Sequence, residues 1–202
     1  YVIKGGFIMS KSDRLNCRAK DYMASYGCIL KNMICGMCEA DMDESISGNF
    51  IRQMLPHHRA AIEMSENFLK YTDNEKLACI AQNIIEEQSA CIAKMRKILC
   101  CCGNVINCCK DLCEYECRVN CIIKSMIRDM NFAYADNSIE CNFIREMIPH
   151  HRGAIMIAKA AMCHCLCDEL KPLLESIISS GEKSIDEMKC TAECLNCKCM
   201  CV

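Results

Sequence analysis

The feature that most limits what this chain can become is a segment that occurs twice. NFIRQMLPHHRAAI, from Asn49 to Ile62, returns 93 positions later as NFIREMIPHHRGAI, from Asn142 to Ile155, with three differences. The same register runs without a gap from about residue 21 to 97 against 114 to 190, pairing Tyr22 with Tyr115, Cys28 with Cys121, Met33 with Met126 and Met95 with Met188. A unit duplicated at a fixed period can bury its apolar face against its own copy, so the two halves are expected to pack together as like elements.

Within each copy apolar residues recur every three or four positions and strand-type alternation is absent, which predicts helices. Only 8 glycines and 3 prolines punctuate the 202 residues. Asp43 and Asp136 are the expected N-caps of helices over about 44–71 and 137–164. Thr72 with Glu75 forms a capping box for a helix near 74–99, whose counterpart spans about 168–189. Further helices are expected near 13–38 and 106–132, with Gly103-Asn104 as a stop between the halves. The fold class is all-α: duplicated helical hairpins forming an antiparallel four-helix bundle, with additional cysteine-rich helices alongside. By composition the chain divides into an N-terminal extension (1–20), a first repeat (21–99), a cysteine-rich connector (100–113), a second repeat (114–190) and a cysteine-rich tail (191–202).

Charge and hydropathy narrow the partners. With 24 Lys and Arg against 26 Asp and Glu, no net positive field attracts nucleic acid or an anionic membrane. Every apolar run is broken by charge before the roughly 18 residues that a membrane span requires. The opening YVIKGGFI is too short for the core of a signal peptide, and Met9-Ser10-Lys11 has the form of a natural start. Cytoplasmic residence is the expectation.

Each repeat sets proline and two histidines inside a long helix: Met54 with Pro56, His57 and His58, and Met147 with Pro149, His150 and His151. Proline there removes a backbone hydrogen bond and presses on the carbonyl four residues earlier, that of Arg52 or Arg145, at roughly 3 kcal/mol. The plainer alternative is that each proline opens a new helix at its first turn, where it does no harm. Adjacent helical residues point about 100° apart, so one histidine of each pair is expected to face inward. His57 and Met64 are seven positions apart and share a face with Met54 nearby. Imidazole and thioether donors then point one way. Most methionines are expected to fill the core; Met54, Met147, Met95 and Met188 stand out because both halves keep them.

On these residues the chain resembles the domain of unknown function 305 family, whose helix reads like MIPHHxxAIxMA and is followed by a second helix ending near a methionine. Here MLPHHRAAIEMS leads to IIEEQSACIAKM at Met95, and MIPHHRGAIMIA leads to IISSGEKSIDEM at Met188. The resemblance implies a bacterial protein with a ferritin-like helical bundle, in which methionine and histidine serve some members as copper ligands. The second copy departs from the pattern, with Ile157 where methionine is expected.

Cysteine is the anomaly: 23 copies, an odd number, with runs such as Cys100-Cys101-Cys102. A disulfide framework suits small secreted domains, and neighbouring cysteines bridge each other poorly. In a reducing compartment the same density provides thiolate ligands. Cys109, Cys113, Cys117 and Cys121 recur every fourth residue and make one thiol stripe on a helix, similar in pattern to the thiol-lined helices of bacterial copper storage proteins. Such a stripe is also what cysteines packed as small hydrophobes would give. Cys28 is the counterpart of Cys121; Cys35 and Cys38 form a CxxC; Cys163, Cys165 and Cys167 alternate around His164. The tail carries Cys190, Cys194, Cys197, Cys199 and Cys201, with CxC spacing that resembles metallothionein.

Copper(I) accepts two or three thiolates or thioethers and suits irregular arrays, so it ranks first, with zinc or silver(I) behind. An iron-sulfur centre lacks a recognisable four-cysteine spacing. The expected function is a soft-metal protein for copper(I) storage, buffering or detoxification, with a copper chaperone as the partner class that would load it. The alternatives are a zinc or other thiolate site, or a structural or redox-responsive helical protein. Catalysis is not expected. A di-iron oxidase needs a symmetric acidic cage, yet Gln53 stands opposite Glu146, Glu63 opposite Met156, and Glu86-Glu87 opposite Ser179-Ser180.

Overall fold

The computed structural model describes residues 15–197. Six helices follow one another: α1 (Cys17–Cys38), α2 (Ile46–Leu69), α3 (Glu75–Cys102), α4 (Cys109–Asn131), α5 (Ile139–Ala161) and α6 (Lys171–Cys194). No strand occurs among the described residues. Moved by 93 positions, α1, α2 and α3 fall on α4, α5 and α6 to within three residues at every end. The helices overrun the divisions drawn from composition: α1 begins inside the supposed extension, α3 and α4 take up most of the connector, and α6 continues into the tail. Cys199 and Cys201 lie outside the described residues.

The helix starts differ from the sequence expectation in an instructive way. The caps of α2 and α5 are Ser45 and Ser138, whose side chains accept from the amides of Gly48 and Cys141, each at 3.2 Å. Asp43 and Asp136 sit two residues earlier and accept from the amides of those serines at 3.0 and 2.9 Å. Each aspartate also holds the arginine inside its helix, Arg52 or Arg145. Asn49 and Asn142 close the same clasp through the backbone of Asp43 and Asp136. Likewise α3 is capped by Asn74, not by a Thr72–Glu75 box; the Thr72 hydroxyl accepts from the Asn74 amide at 3.1 Å. A cap must be the last extended residue before the helix. Sequence spacing leaves a choice among neighbouring polar residues that the chain's approach decides.

Pro56 and Pro149 lie inside α2 and α5, which pass through both prolines as single helices. The alternative of a fresh helix at each proline is therefore not what the chain does. Close packing accompanies these helices. A Cβ on Gly36 of α1 would stand 2.7 Å from Pro56 Cβ, and one on Gly153 of α5 would meet Met126 Sδ of α4 at 2.2 Å.

The two hairpins, α2 with α3 and α5 with α6, face each other through α2–α5 and α3–α6 contacts, while α1 packs on α2 and α4 on α5. A single hydrophobic core spans all six helices. It includes a stacked pair between the hairpins, Phe68 on Phe143 with centroids 4.1 Å apart. Among the described residues, no helix is long and apolar enough to cross a membrane.

Candidate metal centres

Because α2 packs on α5 at the repeated segment, the structure brings its four histidines together. His57 and His150 stack with ring centroids 3.7 Å apart. His58 lies 5.9 Å from His57 and His151 5.8 Å from His150, giving a row of four imidazoles. Each is at most 4% exposed. This corrects the expectation of one inward histidine per pair. Neighbouring side chains do diverge, but α2 is covered by α1, α3 and α5, and α5 by α2, α4 and α6, so both directions end inside protein.

Two contacts fix tautomers. A carbonyl accepts only, so His150 Nε2, 3.1 Å from the His57 carbonyl, carries the proton, and Nδ1 keeps the lone pair. His151 is the reverse, with Nδ1 protonated toward the Met147 carbonyl at 3.1 Å. His150 Nδ1 has no hydrogen-bond partner; the rings of His57 and His58 reach none with full hydrogen-bond geometry, though the His150 and Met54 carbonyls lie close enough to favour a proton on each. Burial, then the neighbouring imidazoles, hold His57 and His150 well below the ordinary histidine range. Burial likewise lowers His58 to about 3 and His151 to about 4. The row is neutral at pH 7, the state in which imidazole donates to metal. Buried polar atoms without partners are rare in proteins and call for a guest or a water. A cavity of about 10 Å³ touches all four rings together with Gln88 and Gly181, space for about one such guest.

Met54, Met64, Met95, Met147 and Met188 are all buried in the core. Met54 and Met147 precede His58 and His151 by one helical turn, four residues. Ile157, which replaces Met64 in the second half, is equally buried, so that position serves packing with or without sulfur.

The thiols lie elsewhere. Cys109, Cys113, Cys117 and Cys121 run along the solvent face of α4, free and exposed, while Tyr115, Val119 and Ile122 of the same helix face the core. Packing therefore does not explain the stripe. Cys28, Cys35, Cys38, Cys163, Cys165, Cys190 and Cys194 are also free and exposed. Two expected thiolates are not: Cys167 is bridged to Cys102 and Cys197 to Cys141, with Cα atoms 5.3 and 5.5 Å apart. Both partners lie far away in sequence, and only the fold puts them within bridging range.

Several donors converge at the end of the bundle where α3 and α5 finish. Asn107 ties this end together, accepting from the Ile46 amide at 2.9 Å and donating to the Cys165 carbonyl at 2.8 Å. Cys100 and Cys101 have sulfurs 3.7 Å apart. His164 Nδ1 lies 3.8 Å from Asp111 Oδ1, and Arg118 lies 3.9 Å from Cys163 Sγ. Among the described residues, Cys102, Cys167 and Glu169 are the one set of three His, Cys, Asp or Glu side chains whose ligand atoms all lie within 4.8 Å, and there the two sulfurs are bonded to each other, so they are not free donors while the bridge stands. The row of histidines therefore offers pairs of donors, not a closed cage.

One buried ionisable group escaped the site reading. Glu146 is 2% exposed, and burial lifts its carboxyl to about 8 despite the Tyr22 hydroxyl that donates to it at 2.6 Å. Its repeat counterpart is Gln53, whose Oε1 is buried without a partner, as is the hydroxyl of Tyr115, the counterpart of Tyr22. The signal was present: Gln53/Glu146 is the only polar difference within the fourteen-residue repeat.

The six-helix bundle with its paired PHH helices matches the model of the domain of unknown function family DUF305 over residues 48–192, and the chain belongs to that family. Among solved structures it is similar to CopM in a silver-bound form obtained by soaking, at 28% identity and a TM-score of 0.54, covering 73% of this chain and 94% of that one. CopM in the apo form gives 28% identity and a TM-score of 0.54, covering 73% and 96%. The silver-bound form from co-crystallisation gives 28% and 0.53, covering 73% and 95%. Curated proteins provided no match.

Proposed function

We propose that the protein binds soft monovalent metal ions and serves to store or buffer copper(I), with silver(I) as a chemical equivalent. The observation that carries this is the α4 stripe, four free thiols one helical turn apart on a solvent-facing surface that no packing need explains. Thiolates in such proximity can share or bridge ions that accept two or three soft donors. The likeness to CopM in silver-bound forms supports the same class of ion. The buried imidazole row, with Nδ1 of His150 bare, fits a second place for the ion. Zinc fits less well, since it asks for four donors in a tetrahedron.

In this reading the ion is cargo and the chain performs no reaction. It works in the cytoplasm, where the exposed thiols stay reduced while burial of Cys102, Cys141 and Cys167 shields the two bridges from reductant, and it receives copper(I) from a carrier protein by ligand exchange. Native mass spectrometry of the reduced protein titrated anaerobically with copper(I) tests the reading. Several ions bound per chain are expected, and uptake of fewer than two would remove storage from consideration.

A further inference from the structure

We infer that Cys91 and His58 together form an internal way-station for the ion, within a cleft between α3 and α6 that leads from solvent to the imidazole row. The inference rests on the proposed soft-metal reading and assigns a residue and a route that reading does not contain.

A cleft of about 200 Å³ separates α3 from α6. His58 forms part of its wall and part of the wall of the small cavity among the four rings, as do Gln88 and Ile177. The two spaces therefore adjoin at His58. On α3 the cleft is lined by Glu87, Gln88, Cys91 and Lys94, residues spaced to share one helical face. On α6 it meets Ser176 and Ser180. Small side chains on one wall leave the gap that bulkier residues at those positions would fill. Cys91 differs from every other free cysteine among the described residues: it is buried, whereas the rest are exposed. His58 is 1% exposed, and neither of its ring nitrogens reaches a partner with full hydrogen-bond geometry; with one turned to the Met54 carbonyl, the other is left for an ion. A soft thiol and an imidazole with a spare nitrogen thus line one solvent-reaching space, a donor pair matched to an ion that takes two ligands. The counterpart of Cys91 in the second half is Ser184, so this thiol has no symmetric twin. Binding forms a metal–sulfur bond and releases the thiol proton to water. No electron moves.

The test uses silver(I), which is redox-silent, on the full reduced chain, with imidazole ¹⁵N resonances followed after one addition. In the wild type, the His58 resonance is expected to move first among the four. Cys91→Ser should slow the response of the histidines at least tenfold and lower total uptake by one ion. Ser180→Leu keeps both ligands but narrows the cleft, and should slow the response without lowering uptake. Circular dichroism and unfolding curves establish that each variant is folded. Wild-type-like rates in both variants, with uptake unchanged in Cys91→Ser, would overturn the way-station while leaving the imidazole row as an ion site. A wild-type protein whose histidine signals ignore silver while its thiols bind it would overturn both the route and the imidazole part of the proposed function.

Discussion

The two halves of the molecule share helices, clasps and histidines, yet within the gap-free register only Cys28 and Cys121 correspond among the cysteines. Apart from the exposed pair Cys28 and Cys121, these shared features are tied to the interior. The Asp43–Arg52 and Asp136–Arg145 clasps orient the helices that bring His57 onto His150, and a change in either half disturbs both. The exposed thiols answer to no such partner. Burial keeps the halves alike, and the surface lets them differ.

The shared interior makes the largest prediction. All four imidazoles are buried and neutral, with folded-state values below the ordinary 6.5. Above pH 6.5 neither folded nor unfolded chain protonates them. Below it the unfolded chain takes up protons that the native row refuses, until the folded values near 3 and 4 are reached for His58 and His151. The row's contribution is therefore full above pH 6.5 and falls as pH drops toward 4. One unit below the ordinary value, each histidine contributes about 1.4 kcal/mol, so the four together remove roughly 6 kcal/mol, comparable to the whole stability of many domains. Urea unfolding of the Glu146→Gln variant at pH 7.5 and 5.5 measures this free of the opposing titration of that carboxyl, and equal midpoints would mean that the row is hydrated. If silver occupies the row, adding it should oppose the loss.

The disulfides separate the halves. Cys102–Cys167 joins one half to the other, whereas Cys141–Cys197 closes the second half on itself; the spans are 65 and 56 residues. Loop-closure entropy puts each at about 4 kcal/mol. Cys141→Ser should loosen α5 and α6 while α2 and α3 keep their hydrogen-exchange protection. Cys102→Ser should weaken both halves together. The reverse pattern would mean that the halves do not fold as the repeat divides them.

Glu146 allows the second half to be made like the first. Its folded value of about 8 exceeds that of a free carboxyl, so its stabilising protonated form is fully present below the unfolded value and is lost as pH rises through 8. Glu146→Gln, which copies Gln53, should raise stability at pH 8 by about 2 kcal/mol and flatten the alkaline decline. A variant less stable at pH 8 would assign Tyr22 and Glu146 a bond that an amide cannot replace.

How much of this was legible beforehand follows the same division. The all-α fold, the six helices and the long proline-containing helices follow from period and duplication, because both signals are local or repeat at a fixed distance. The identities of the caps did not, since Asp43, Ser45, Asp136 and Ser138 are all capping residues and only tertiary contacts choose among them. That His58 and His151 are buried beside His57 and His150 depends on how many helices surround α2 and α5, which a single helix's periodicity cannot report. The bridges of Cys102 and Cys141 and the cleft at Cys91 join residues distant in sequence. No spacing rule reaches that far.

The smallest expected effect on stability is the sharpest test of the division between interior and surface. In α1, Cys28 stands alone where α4 carries its full stripe: the counterparts of Cys113 and Cys117 are Lys20 and Ala24, both exposed. If exposed thiols bind ions through helical spacing alone, the stripe should be transferable. Lys20→Cys with Ala24→Cys places two further sulfurs at four-residue steps before Cys28, and should raise copper(I) capacity by about one ion with the unfolding midpoint unchanged. The opposite pair, Cys113→Ser with Cys117→Ser, should lower capacity by a similar amount, again without a change in midpoint. Because neither pair touches the core, a shift in stability would show that α1 and α4 carry more of the fold on their outer faces than their burial implies. Unchanged capacity in both variants would mean that the ions bind elsewhere, at the bundle end where Cys100, Cys101, Cys163 and Cys165 gather or within the imidazole row.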